Sequence, residues 1–127
     1  MTRIDLPWPR PPATNNQRGN WQADAARRAT TRQAARWTIR AAHLTPVAGR
    51  VNIGIHWRIP DRKLRDPDNL GLTLKGCLDA LVDEGVLVSD DWRHVATTSQ
   101  TIHPPEPGRT AAMWLTIEEV NHDNGRP

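Results

Sequence analysis

Between positions 51 and 59 apolar residues alternate with polar ones: Val51, Ile53, Ile55, Trp57 and Ile59 against Asn52, Gly54, His56 and Arg58. A period of two predicts a strand with one buried and one wet face. The period lengthens over 70–84, where Leu74, Leu78, Leu81 and Val82 form the apolar side of a helix. Asp68 or Asn69 can cap its start, and Gly85 stops it. A longer helix is expected over about 23–44, with Ala34, Trp37, Ala41 and Leu44 as its buried stripe. Arg28, Arg32, Arg36 and Arg40 recur every four residues on the other side, as a solvated outer face or as a contact for nucleic acid.

A short strand at 4–6 runs into Pro7-Trp8-Pro9-Arg10-Pro11-Pro12, which cannot pair inside a sheet. Residues 15–20 read as a polar loop. Two further strands are expected at 94–102 and 111–120, parted by Pro104-Pro105-Glu106-Pro107-Gly108. The tail, 121–127, is expected to be disordered. The order β-α-β-α-β-β predicts an α+β fold, a single small domain over 1–120 whose mixed or antiparallel sheet is packed by two helices.

Composition narrows this picture. A chain of 127 residues makes one domain with a small core. There is no Tyr or Phe, so the six tryptophans carry all the aromatic bulk, and most are expected to anchor the core. One cysteine, Cys77, excludes an internal disulfide and a Cys-rich zinc site, and its apolar neighbours predict a buried thiol. No apolar run reaches membrane-spanning length and the start does not read as a signal peptide, so a reducing cytoplasm is the expected location.

The net charge of +3 conceals a division. Residues 1–60 carry ten arginines against Asp5 and Asp24, a net of +8, while residues 61–91 carry eight acids against four bases. Arginine outnumbers lysine 15 to 2, which suits bidentate contact with phosphate. An arginine-rich codon bias would also give this ratio, but it does not explain the acidic island.

That island is Arg65-Asp66-Pro67-Asp68-Asn69-Leu70, followed about twenty residues later by Ser89-Asp90-Asp91. Either stretch alone is ordinary turn chemistry, with one residue capping a helix. Together they place carboxylates at both ends of one helix. Asp66 and Asp68, two apart in extended chain, can face one side, and a returning strand can bring Asp91 beside them. Three such carboxylates would hold a hard divalent cation and leave room for water and phosphate oxygens. Lys75 falls two turns into the helix on the side of Asp79. It is either an i,i+4 partner of Asp79 or a cation beside the acidic site. The five histidines have no metal-binding spacing, with His94 nearest the acids. There is no Gly-rich phosphate loop and no Ser/His/Asp signature.

With these residues in place, the chain resembles the RusA family of Holliday junction resolvases over most of its length. The Leu6-Pro7-Trp8-Pro9 opening with Pro11-Pro12 and Asn15-Asn16 resembles the family's proline- and asparagine-rich start. Ile59 to Leu70 resembles its basic loop leading into an Asp-x-Asp-Asn motif. Lys75-Gly76-Cys77-Leu78-Asp79-Ala80-Leu81 resembles its lysine-bearing helix, Asp90-Asp91 its second acidic point, and Leu115 to Glu119 its closing strand.

The resemblance implies a homodimeric, Mg²⁺-dependent endodeoxyribonuclease, with Mn²⁺ as a substitute. Such an enzyme resolves four-way DNA junctions by paired symmetric cuts and needs no small-molecule cofactor and no membrane. Asp66, Asp68 and Asp91 would be metal ligands and Lys75 the catalytic lysine, with Asn16, Arg18, Lys63, Arg65 and Asn69 against DNA. Trp21 and Trp92 are candidates for base stacking. A phage or prophage origin is common in such a family. One departure is the three extra residues Gly71-Leu72-Thr73 between the Asp motif and Lys75. Three residues turn a helix by about 300°, so Lys75 keeps its place only if they precede the helix or form its first turn. The rival expectations are a branched-DNA-binding module without catalysis and a metal-dependent nuclease acting on flaps or forks.

Overall fold

The alternating segment at 51–59 becomes the strand on which the rest is built. The computed structural model describes residues 1–14 and 21–120, so Asn16, Arg18 and the 121–127 tail lie outside the described residues. Strands β1 (Thr2–Asp5), β2 (Val51–Arg58), β3 (Val95–His103) and β4 (Ala112–Glu119) form one sheet in the order β1-β4-β2-β3. β2 runs parallel to β3, and β4 runs antiparallel to both β1 and β2, so the sheet is mixed. Helices α1 (Trp21–Ala41) and α2 (Gly71–Asp83) complete the α+β domain, and a 3-10 turn at Pro67–Leu70 leads into α2.

The period-two pattern holds. Val51, Ile53, Ile55 and Trp57 enter the core with Ile4, Leu115 and Ile117; the 3-10 turn adds Leu70, and α2 adds Leu74, Cys77, Leu78 and Leu81. Asn52, His56 and Arg58 take the other face. There His56 Nδ1 lies 2.9 Å from His103 Nε2, and the His56 ring stacks on Trp114 with 5.4 Å between centroids. Burial, then the neighbouring His103 and Arg3, pushes His56 below its ordinary pKa, so it is neutral near pH 7. α2 ends where Gly85 turns left-handed at φ 76°, with the Val86 and Leu87 N–H groups donating to Leu81 O.

One expectation for the first helix fails and another is refined. Its buried line is Thr31, Ala35 and Ile39, whereas Trp37 is 59% exposed and Ala41 is exposed. The alanine-rich sequence gives little contrast between faces, and Ile39, the one large aliphatic residue of the helix, decides which side packs. The arginine row lies on the exposed side, but only Arg28 is left without an ion pair among the described residues. Arg32 binds Asp83 through two bonds of 2.5 and 2.6 Å, and Arg36 and Arg40 both bind Glu84, at 2.9 and 2.8 Å. These three therefore tie α1 to the C-terminal end of α2. Gly76 permits the close approach: a Cβ there would stand 3.1 Å from Thr31 Cγ2.

The tryptophans divide evenly instead of mostly filling the core. Trp57 and Trp114 are buried and Trp8 is half-buried, but Trp21, Trp37 and Trp92 are exposed. Cys77 is buried as expected, and burial pushes its thiol up to about 12.

Candidate functional site

The proline-rich opening is pinned at two points beside the acidic motif. The Trp57 indole donates to Pro9 O at 2.9 Å, and the fully buried Thr73 hydroxyl donates to Ala13 O at 2.8 Å. Gly71-Leu72-Thr73, the residues that the resemblance would count as extra, form the first turn of α2, directly after the 3-10 turn. Between the opening and the motif lies a groove of about 630 Å³ lined by Trp8, Arg10, Thr14, Trp57, Arg65, Asp66 and Asn69. Trp57 on the core strand and Thr73 in the first turn of α2 are what join the two segments.

The basic loop before Asp66 is a compact knot. Asp61 accepts the Lys63 backbone N–H at 3.0 Å and pairs with the Arg65 guanidinium at 2.8 Å; these two bonds, in that order, hold its carboxyl below the usual range. Arg65 also donates to the carbonyls of Asp61 and Lys63, and its guanidinium lies 5.2 Å from the Trp57 ring centre. Arg65 was expected to grip DNA. Three of its contacts are made inside the loop, and its side chain, 19% exposed, lines the groove. Arg62 and Lys63 point outward, and neither forms an ion pair among the described residues. Between them and Arg65 stands Leu64, whose surface is wholly exposed.

The second acidic point returns to the lysine helix, through a different aspartate than expected. Lys75 Nζ lies 2.7 Å from Asp90 Oδ2 and 3.0 Å from Asp79 Oδ1. The i,i+4 pair anticipated from the sequence is therefore present, and Asp90 joins it from 15 residues away. Hydrogen bonds from Asp90 and then Asp79 raise the lysine above its ordinary pKa. Lys75 is thus an ammonium at any physiological pH: it can offset negative charge but cannot serve as a general base.

Asp91 is occupied otherwise. Its Oδ1 accepts the Arg93 N–H at 2.9 Å and its Oδ2 pairs with the Arg93 guanidinium at 2.7 Å. Arg93, assisted by Ser89, holds the Asp91 carboxyl far below the carboxylate range. Asp91 O also accepts the His94 and Val95 N–H groups that open β3, so this residue shapes the turn. His94 Nδ1 takes Ser89 Oγ at 2.8 Å and lies 4.0 Å from Asp91 Oδ1.

The sequence had predicted that Asp66, Asp68 and Asp91 would share a cation. Among the described residues, no three Asp, Glu, His or Cys side chains form a group that could hold a metal ion. Asp91 is paired with Arg93 instead. The donor chemistry of Asp66 and Asp68 still suits Mg²⁺, which is bound through one or two carboxylates together with substrate phosphates more often than by an all-protein cage. Both are exposed on the 3-10 turn that packs beside β3, where the Gln100 amide adjoins Gly71. Gln100 carried no sequence signal. No helix among the described residues is long and apolar enough to cross a membrane. Neither a protein-family model nor a curated protein sequence matches this chain.

Proposed function

We propose that this chain is a structure-specific endodeoxyribonuclease that cuts four-way DNA junctions and depends on Mg²⁺ or Mn²⁺. The observation that carries the reading is the return of the 85–91 loop onto α2. Asp90 meets Lys75 in the second turn of α2, the helix that follows the Asp66–Asp68 turn. A carboxylate-bound ammonium on the helix that follows the Asp66–Asp68 turn, together with the exposed Arg62 and Lys63 ahead of that turn, supports the reading that the resemblance to RusA-type resolvases suggests. A bound Mg²⁺ would supply an activated water and a Lewis acid for the phosphate. Asp66 and Asp68 are the side chains to hold it. Lys75 offsets the charge that grows on the phosphate as the bond breaks. Arg62 and Lys63 hold the flanking backbone, a contact that weakens with salt. The chain acts as a homodimer in this reading, because a four-way junction is close to two-fold symmetric and two opposed cuts need two sites. Its place is the cytoplasm, where the DNA is.

The test is cleavage of a synthetic four-way junction, a fork, a flap and a linear duplex, with Mg²⁺, Ca²⁺ or chelator. Paired nicks in the junction alone, only with Mg²⁺, support the reading. Cleavage confined to forks or flaps would redirect it. Tight binding to the junction with no scission under any cation would leave a branched-DNA-binding module.

A further inference from the structure

Leu64 is the least protected apolar side chain among the described residues, its surface 100% exposed. Isolated exposed apolar residues are ordinary on proteins. Three features set this one apart. Its loop is not slack: Arg65 turns inward, bonds the carbonyls of Asp61 and Lys63, pairs with Asp61 and rests on Trp57. Arg65 is held inward, and Leu64 next to it stands fully exposed on this tied loop. Next, the residues preceding it are Arg62 and Lys63, exposed and outside any ion pair among the described residues. An apolar tip beside unpaired cations does not suit a protein's apolar groove, where both charges would lose water without partners. It suits a nucleic acid, which offers phosphates to the cations and stacked bases to the tip. Finally, Asp66 and Asp68 follow at once in sequence, so a strand opened at the tip would lie at the acidic turn.

We propose that Leu64 is a wedge that inserts between bases at the branch point while Arg62 and Lys63 hold the adjoining phosphates. This rests on the nucleic-acid reading above and adds to it the residue that recognises the discontinuity. At a branch the bases are already partly unstacked, so insertion costs less there than in a continuous duplex. The wedge therefore confers preference for structure and none for sequence.

The experiment uses the full chain carrying Asp68→Asn, to suppress cutting, on a four-way junction and a linear duplex with 2-aminopurine beside the branch or at the equivalent position. Junction binding is expected to raise the fluorescence. With Leu64→Ala the rise is lost and junction affinity falls about tenfold, while affinity for the duplex and the salt dependence stay unchanged. Leu64→Phe restores both. An unaltered melting point, expected for so exposed a position, shows that the alanine variant is folded. Equal junction affinity and an equal fluorescence rise in Leu64→Ala would overturn the wedge while leaving the nuclease reading intact. Failure of the parent chain to bind either DNA would overturn both.

Discussion

Two arginine-rich regions of this molecule put the same side chain to opposite uses. Along α1, Arg32, Arg36 and Arg40 each meet a carboxylate on the last turn of α2 or just beyond it, so the charges cancel and the helices are clasped. In the 61–65 loop one arginine, Arg65, is spent on holding the turn, and Arg62 and Lys63 are left facing water. The difference is supplied by the neighbours. Asp83 and Glu84 face the first region across a helix interface, whereas Asp61 alone faces the second and is saturated by Arg65 and a backbone N–H. Arginine content by itself therefore says little about where a nucleic acid would lie. What matters is which cations remain once the fold has used the others.

Substitutions can sharpen that contrast. The largest effect is expected at the acid beside the unbalanced region: Asp68→Asn should lower junction cleavage by about 100-fold or more. Binding and melting temperature should be unchanged, as single-turnover assays and thermal unfolding would show. Next, Arg62→Ala with Lys63→Ala should reduce the slope of log affinity against log salt by about 2, the value for two lost phosphate contacts. Arg36→Ala and Arg40→Ala should leave that slope alone and lower the melting temperature instead. If the α1 pair shifted the salt slope and the loop pair did not, the contrast drawn here would be reversed.

A pH titration reads the clasp directly. The Arg40 and Arg36 guanidiniums pull the Glu84 carboxyl from about 4.5 down to about 2. A carboxylate whose pKa is lower in the folded state stabilises it fully above the unfolded value and loses that contribution as pH falls toward the folded one. Unfolding monitored between pH 5 and 2, a window set by those two values, should show stability falling with pH in the parent chain and a flatter profile in Glu84→Gln. The smallest effect concerns Cys77. With its thiol pushed up to about 12 by burial, it should react with disulfide reagents only on unfolding, at the same rate in every variant above that remains folded.

Much of the fold could be read from the chain alone, because the decisive signals were local. Alternation at 51–58, the leucine spacing after Leu70 and the stop at Gly85 each depend on backbone geometry within a few residues, and both elements and the stop form as expected. The α1 stripe could not be read, since alanines bury equally well on any face and only the meeting with α2 selects Ile39 over Trp37.

The candidate site divides in the same way. The sequence by itself named the candidate residues: the Asp66–Asp68 turn, Lys75, the second acidic pair and the basic loop. Only the tertiary structure decided their partners. It gave Asp90 to Lys75, gave Asp91 to Arg93, turned Arg65 inward and left Leu64 outside. The physical reason is that a side chain's type is fixed by covalent chemistry, whereas its charge balance and exposure depend on what the fold sets within a few ångströms, often from residues far away along the chain.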